Sequence, residues 1–380
     1  MMLTLNDTRG RFNWGSPNRP PGRRPPGFTV ASIEPFVPGF ARHRISGCGK
    51  TADVSVRAVP GVALAAVLAV VATYLAGFAP ILGAPVIAIL LGVGLRTCSA
   101  LPAAFDLGVK FSGRNVLQFA IVVSGFGISL TSIVRTGLGT LPVTLGTIAI
   151  ALAIAPVAGR LLRLDVKLRE LVGIGTAICG ASAIAAVATV IDPSEDEVAL
   201  SIATIFLYNI AAVLTFPLIG HVLGMTQTQF GVWAGTAIND TSSVVAAGFA
   251  YGHEAGTRAT IVKLTRAILI LPIVGVLALL RARSERGTQT PIPWRSIVPW
   301  FILWFLAAAV INSAGVIPIS AHAGISDAAT FLISLALAAI GLQTALTKLL
   351  RAGSRPLALG FILWLTVALS SLAIQHIAQL

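Results

Sequence analysis

The stretch Gly175-Thr-Ala-Ile-Cys-Gly-Ala-Ser-Ala-Ile-Ala-Ala186 places small and polar residues in the middle of a long apolar segment. A near-copy, Gly235-Thr-Ala-Ile-Asn-Asp-Thr-Ser-Ser-Val-Val-Ala-Ala247, begins sixty residues later. Lipid offers no water to free backbone N–H and C=O groups. A helix therefore breaks at membrane depth only where protein or a polar cavity surrounds the break. Such breaks are typical of the substrate site of a secondary transporter.

The composition is that of a polytopic membrane protein. Apolar residues make up 56% of the chain and charged residues 11%, whereas soluble domains contain about 25% charged residues. Residues 1–57 differ, with nine Lys/Arg against three Asp/Glu and no apolar core of a signal peptide. We interpret them as a disordered basic extension that rests on anionic lipid, or as a dispensable tail, ahead of a transmembrane domain at 58–380.

The predicted fold is all-α and membrane-embedded, with about eleven spans, since a bilayer crossing needs roughly 20 apolar residues. The eleven apolar runs are 61–77, 80–95, 115–133, 138–159, 171–191, 197–222, 231–250, 260–280, 297–315, 325–346 and 356–378. Of the eighteen Lys/Arg after residue 57, fourteen fall in alternate loops and only two in the loops between them. The positive-inside rule then predicts a cytoplasmic N-terminus and a C-terminus outside.

The direction of the spans predicts the relative orientation of the broken segments. With eleven spans, the fifth and the seventh run the same way, so the two Gly-Thr-Ala-Ile segments are expected to be parallel. An inverted repeat would relate residues 80–222 to residues 231–378 and match the fifth span with the tenth. The tenth has its own weak point at 336–346, where Gly341 and Gln343 lie. We expect that segment to cross the first break at the midplane and to contribute to the substrate site.

Three motifs in order carry a resemblance to a known family. They are Gly173-Ile-Gly-Thr-Ala-Ile-Cys-Gly-Ala-Ser-Ala-Ile184, Phe230-Gly-Val-Trp-Ala-Gly-Thr-Ala-Ile-Asn-Asp-Thr-Ser243 and Ala259-Thr-Ile-Val-Lys-Leu-Thr-Arg266. Over roughly residues 58–380 the chain resembles the YeiH, or UPF0324, family of bacterial inner-membrane proteins, described as sulfate exporters. The resemblance implies an inner-membrane transporter of sulfate, sulfite or another small oxyanion. The family commonly has His at the position of Asn239.

The first break has the features of an anion site. A helix that begins after Gly180 presents free N–H groups and the positive end of its dipole. Ser182 supplies a hydroxyl, and the small residues Gly180 and Ala181 let an anion approach the backbone. Close helix packing is the alternative, because small residues also line membrane helix interfaces. Cys179 is more readily a small buried hydrophobe than a nucleophile.

The second break carries an ionisable residue at membrane depth. Asp240 follows Asn239 and precedes Thr241 and Ser242. A charge there costs about 3 kcal/mol on insertion scales, which makes Asp240 a functional candidate by default. We expect it to hold a coupling ion or proton, and its neighbours to contact the substrate. An N-terminal cap is the alternative role, and the two roles are compatible.

Lys263 and Arg266 are the third part of the candidate site, after the two breaks. They lie three residues apart and therefore share one helix face. We expect them to neutralise Asp240 or to attract an anionic substrate, with Arg as the better bidentate ligand and Lys as the point charge. The alternative is that both side chains snorkel to the outer interface.

The function predicted from these residues is export of a small oxyanion by alternating access, without catalysis. Two alternatives stay open: a cation/proton antiporter that uses Asp240, and an intramembrane enzyme that uses Cys179. The expected partners are the anion, the bilayer and, as an open option, a second copy of the chain. The sequence contains no metal-ligand spacing, phosphate-binding loop or nucleic-acid pattern, so we expect no metal, cofactor or nucleic acid.

Overall fold

The computed structural model describes residues 51–78, 83–99, 101–284, 300–344 and 353–379, and the regular structure in these ranges is helical. The helices are α1 Thr51–Ala76, α2 Gly83–Cys98, α3 Asp106–Phe111, α4 Leu117–Gly125, α5 Leu130–Gly139, α6 Leu141–Leu161, α7 Val166–Ala177, α8 Ala181–Ile191, α9 Glu195–Val222, α10 Gln227–Ala237, α11 Thr241–Tyr251, α12 His253–Ile268, α13 Ile270–Ser284, α14 Trp300–Ser313, α15 Ile319–Gln343 and α16 Ser354–Ala378.

The predicted basic extension falls mostly outside these ranges. Residues 1–50 lie outside the described residues, and α1 begins at Thr51, within the last part of the predicted extension. Within the described ranges, six helices are long and apolar enough to cross a membrane, and the bent pair 103–125 and 130–139 would make a seventh. The chain is therefore a multi-pass membrane protein.

Helices α7 and α8 form a helical hairpin (residues 166–191, the first hairpin) rather than one broken span. The Lys167 ammonium, at the start of α7, donates to the carbonyl of Asp192, directly after α8, at 2.5 Å. If α8 continued the line of α7, these groups would lie about 35 Å apart. Each arm is 11 or 12 residues long, which is about 17 Å or half of a bilayer core. The hairpin therefore enters to mid-depth and returns.

Helices α10 and α11 form a second hairpin (residues 227–251). The side-chain oxygen of Gln227, at the start of α10, accepts from the backbone N–H groups of Glu254 and Ala255, at 2.9 and 3.2 Å. The rings of Phe230 and Tyr251 stack with centroids 3.9 Å apart. The two ends of this hairpin therefore lie side by side, as in the first.

Helix α9 joins the hairpins and sets their direction. It has 28 residues and is therefore about 42 Å long, enough to cross the bilayer. Three residues separate it from the end of the first hairpin, and four separate it from the start of the second. The hairpins consequently enter from opposite ends of α9. Their tips meet near its middle, where a Cβ on Gly180 would lie 3.8 Å from the backbone nitrogen of Asp240.

Two of the predicted spans are corrected by this arrangement. Residues 171–191 and 231–250 do not cross the membrane, so the two Gly-Thr-Ala-Ile segments point toward each other and are not parallel. Hydropathy failed here because a hairpin of two half-length arms has the same length and composition as one span. The inverted repeat of residues 80–222 and 231–378 stays a prediction.

Helices α1, α2, α4, α14 and α15 form a second group, which determines where the tenth predicted span lies. α15 packs against α1, α2 and α4. A Cβ on Gly92 of α2 would fall 2.9 Å from the Cα of Gly341, and the side-chain nitrogen of Gln343 donates to the carbonyl of Val109 at 3.2 Å. The expected crossing with the first break is not found for residues 336–344, because close glycine packing holds them against α2. Residues 345 and 346 of the predicted segment lie outside the described residues.

The hairpin topology predicts which loops share a side of the membrane. In a chain whose native cysteines are replaced by alanine, Arg163→Cys and Glu195→Cys should react with a membrane-impermeant maleimide from the same side, and Leu223→Cys from the opposite side. Eleven spans would instead place Arg163 and Leu223 together and Glu195 opposite. Labelling of sealed vesicles of both orientations distinguishes the two patterns.

The glycine contact between α2 and α15 predicts a site-specific loss of stability. Gly92→Val should lower the free energy of unfolding by about 1–3 kcal/mol, because the added atoms overlap the backbone of α15. Gly94→Val on the same helix is the control, since no atom lies within 4 Å of a Cβ built there. Thermal unfolding in detergent measures both, and equal midpoints for the two variants would contradict the close approach.

Candidate functional site

The first tip (residues 178–180) breaks the chain through its backbone conformation. Ile178 has φ −121° and ψ −88°, and Gly180 has φ +70°, a left-handed value that favours glycine. Gly180 caps α8 without any side-chain hydrogen bond. Ser182, in the first turn of α8, is exposed, and its hydroxyl lies 2.7 Å from the sulfur and 3.2 Å from the carbonyl oxygen of Cys179. The N-terminus of α8 is thus open.

The second tip (residues 238–240) is capped by its own carboxylate. Asp240 precedes α11, and its Oδ2 accepts from the backbone N–H groups of Ser242 and Ser243 at 3.0 and 3.2 Å, and from the Ser242 hydroxyl. This is the expected geometry of an Asp N-cap. Asp240 and Thr241 are half-buried, whereas Asn239 is 1% exposed. The capping role considered from the sequence is therefore present at Asp240.

Asn209 fixes the second tip to the middle of α9. Its side-chain oxygen accepts from the backbone N–H groups of Asn239 and Asp240, at 3.2 and 3.3 Å. Asn209 is 2% exposed and is the fifteenth of 28 residues in a helix of largely apolar composition. Its position at the centre of an apolar helix is the signal by which the sequence marks it.

Lys263 lies fully buried between the two tips. It is 0% exposed, and its ammonium donates to the carbonyl of Ile178 at 3.0 Å and to that of Ile238 at 2.9 Å. These carbonyls stand at the C-terminal ends of α7 and α10, where no following turn can bind them. The negative end of each helix dipole also favours a cation there. One ammonium group thus satisfies both broken helices.

Arg266 makes the same connection one turn further along α12. It is 0% exposed, its Nε and Nη2 donate to the carbonyl of Ala177 at 2.9 and 2.6 Å, and Nη2 reaches that of Thr176 at 3.3 Å. Its Nη1 donates to the carbonyl of Thr236. The alternative of snorkelling to the interface is therefore wrong for both cations, because their donors are bound to backbone inside the protein.

The bonds of the two cations follow the internal repeat. Ile178 and Ile238 are equivalent in the two copies, and so are Thr176 and Thr236. Lys263 binds one equivalent pair of carbonyls and Arg266 binds the other. The two Gly-Thr-Ala-Ile segments thus place equivalent backbone carbonyls against the same two cations.

Most of the predicted site residues meet at the tips. The residues that the structure brings together there are Gly180, Ala181, Ser182, Asn239, Asp240, Thr241, Ser242, Lys263 and Arg266. Gly341 and Gln343 do not join them, as the contacts with α2 and Val109 show. Within the described ranges, no group of three or more His, Cys, Asp or Glu side chains is placed to hold a metal ion.

The bonds of Arg266 predict a strong effect of a conservative change. Arg266→Lys keeps the charge but cannot reproduce a planar group that binds three carbonyls, and each lost bond to a charged group costs about 1.5–3 kcal/mol. We expect a clear drop in the thermal unfolding midpoint in detergent. Arg258→Lys on the same helix is the control, because that side chain is 31% exposed and forms a surface ion pair with Glu254 at 3.5 Å. Similar midpoints for the two variants would contradict this role.

Comparison with known proteins places this architecture in a family. Residues 60–360 match the family described as Conserved hypothetical protein 698. A UPF0324 membrane protein of Streptococcus pyogenes serotype M3 is 45% identical, with 84% of this chain and 97% of the relative covered. UPF0324 membrane proteins of Streptococcus pneumoniae serotype 4 and Fusobacterium nucleatum are 40% and 37% identical, each over 83% of this chain and 96% or 97% of the relative. The chain belongs to the UPF0324 family of membrane proteins.

Proposed function

We propose that this protein is a secondary transporter of a small oxyanion, and that the anion binds where the two hairpin tips meet. The observation that carries the proposal is the open N-terminus of α8, with an exposed Ser182, at the depth of two buried cations. In secondary transporters, half-helix N-termini at mid-membrane point at anionic groups of the substrate. An arm of about 17 Å reaches that depth.

The anion is expected at the first tip because the second is already neutralised. Asp240 occupies the N-terminus of α11, whereas the first turn of α8 has no side-chain cap. Ser182 and the backbone of Gly180 and Ala181 would contact the anion directly. Thr241 and Ser242 would line the other side of the same opening.

Lys263 and Arg266 contribute charge in this proposal rather than direct contacts. Their donors are bound to carbonyls of both hairpins, so their role is to hold the tips and to set the local potential. Two positive side chains face one negative side chain, Asp240, and the excess charge favours an anion. Inside a protein, screening by water is weak and this attraction is stronger than at the surface.

Alternating access would follow from the two helix groups. The hairpins, α9 and α12 form one group, and α1, α2, α4, α14 and α15 form the other, with α11 packed against α2 and α15. Movement of one group against the other would expose the tips to either side in turn. We propose the bacterial inner membrane as the location and export as the direction.

The predicted orientation is compatible with the hairpins. Replacing two spans by two hairpins changes the side of only two loops, 192–197 and 223–226, and neither contains Lys or Arg. The fourteen basic residues therefore stay together. We propose that their side is cytoplasmic, with the N-terminus inside and the C-terminus outside.

The alternatives are less well supported by the geometry. A transported cation would need the carbonyls at the broken helix ends, and Lys263 and Arg266 already bind them. This argues against a cation antiporter that uses Asp240, although Asp240 can still set the charge or carry a coupling proton. Cys179 is buried and its sulfur is a neighbour of the Ser182 hydroxyl, which fits a packing role better than nucleophilic catalysis. We therefore propose no enzymatic activity.

Flux through proteoliposomes tests the proposal. Vesicles with the purified protein should take up labelled sulfite, phosphate or sulfate faster than protein-free vesicles. Ser182→Val should lower that flux about tenfold or more, because it removes a donor to the anion and adds bulk at the opening. Thr189→Val, at another exposed position of α8, is the matched control and should stay close to the parent protein.

Two results would contradict the proposal. One is a folded, reconstituted protein that moves none of these anions. The other is equal flux for the Ser182 and Thr189 variants, which would place the site elsewhere. Flux of Na⁺ or protons with no anion requirement would favour the antiporter.

A further inference from the structure

The two tips align in sequence but differ at two of their three positions, Cys179 against Asn239 and Gly180 against Asp240. Aligning the repeats pairs Gly180 with Asp240, and Ser182 with Ser242. At the second tip, one carboxylate oxygen of Asp240 accepts from two backbone N–H groups and one hydroxyl. The first tip has the corresponding donors in α8, with no carboxylate because Gly180 stands in its place.

The Asp240 carboxylate at the start of α11 therefore shows which kind of group fits the start of α8. The donors that correspond to those around Asp240 are the N–H groups of Ser182 and Ala183 and the Ser182 hydroxyl. At the second tip, the equivalent donors converge on one oxygen of Asp240. The first tip therefore has the donors to bind a single unprotonated oxygen of an anion. The Ser182 hydroxyl, which now lies against Cys179, would turn to that oxygen as the Ser242 hydroxyl turns to Asp240.

A second, independent observation lies at the adjoining tip. Among the residues that the structure describes, the side-chain oxygen of Asn239 is buried without a hydrogen-bond partner, and the whole residue is 1% exposed. A Cβ on Gly180 would lie 3.9 Å from the backbone carbon of Asn239, so this residue lies beside the N-terminal end of α8. A buried acceptor without a donor is costly. An anion with acceptors only would not satisfy it.

We propose that the transported anion is singly protonated: one bare oxygen binds the N-terminus of α8 and its own O–H donates to the side-chain oxygen of Asn239. This inference rests on the proposed transport function and names its substrate class. Hydrogen carbonate, hydrogen sulfite and dihydrogen phosphate have both groups. Sulfate and nitrate lack the proton, and a site that hydrogen-bonds a substrate hydroxyl discriminates against analogues without it.

Hydrogen carbonate and nitrate form a matched pair of probes, because both are planar monoanions and only the first has a donor. Thermal stabilisation of the purified protein in detergent, titrated with the two potassium salts, gives their relative affinities. Hydrogen carbonate should bind more than about tenfold more tightly than nitrate. In Asn239→Leu, which keeps the size and removes the acceptor, the two affinities should come within about twofold, since the discriminating bond is gone.

The outcomes separate this inference from the proposed function. If nitrate binds the parent protein as tightly as hydrogen carbonate, the protonated-anion inference is overturned, while oxyanion flux in proteoliposomes would leave the transporter standing. An unchanged preference in folded Asn239→Leu also overturns it. If no anion stabilises the protein and none is transported, both proposals fail. The comparison in the parent protein needs no variant, so misfolding of Asn239→Leu would not prevent the test.

Discussion

The hydrogen bonds from Lys263 and Arg266 to the backbone hold the centre of this protein together. Two helices end at mid-membrane, where water cannot bind their free carbonyls, and each unsatisfied group would cost several kcal/mol. The two cations need hydrogen-bond acceptors in turn, because a buried charge without partners is costly. By binding carbonyls of both hairpins, each cation satisfies two helix ends that enter from opposite directions. These hydrogen bonds allow the two tips to meet at mid-depth.

That arrangement distinguishes the C-terminal ends of the first arms, which are alike, from the N-terminal ends of the second arms, which differ. The carbonyls at the ends of both first arms bind the same two cations, and they belong to the repeated Gly-Thr-Ala-Ile segments. The second arms begin in different surroundings. Asp240 caps the start of α11, whereas Gly180 leaves the start of α8 without a side-chain cap. The proposed transport function depends on this difference between the two tips.

Sequence reasoning predicted which residues lie at the tips better than it predicted the direction in which the chain runs there. Asp240, Lys263 and Arg266 stood out because charged residues are rare at membrane depth, and Ser182 because small and polar residues interrupt an apolar run. Gly341 and Gln343 also interrupt an apolar run, but they pack against α2 and Val109. Composition alone does not separate a helix break from a close helix contact, because both use small residues. For Asn209, the structure and not the composition shows that its side chain binds the second tip.

The sequence by itself determined that this is a helical multi-pass membrane protein with two related breaks and a few charges within apolar segments, since apolar length, rare charges and a repeated motif are properties of the linear chain. The tertiary structure alone decided that the breaks are the tips of hairpins that enter from opposite sides. Hydropathy measures how much apolar chain is present and not the direction in which it runs. The turn at each tip, and the cations that hold it, come from contacts between residues up to 90 positions apart.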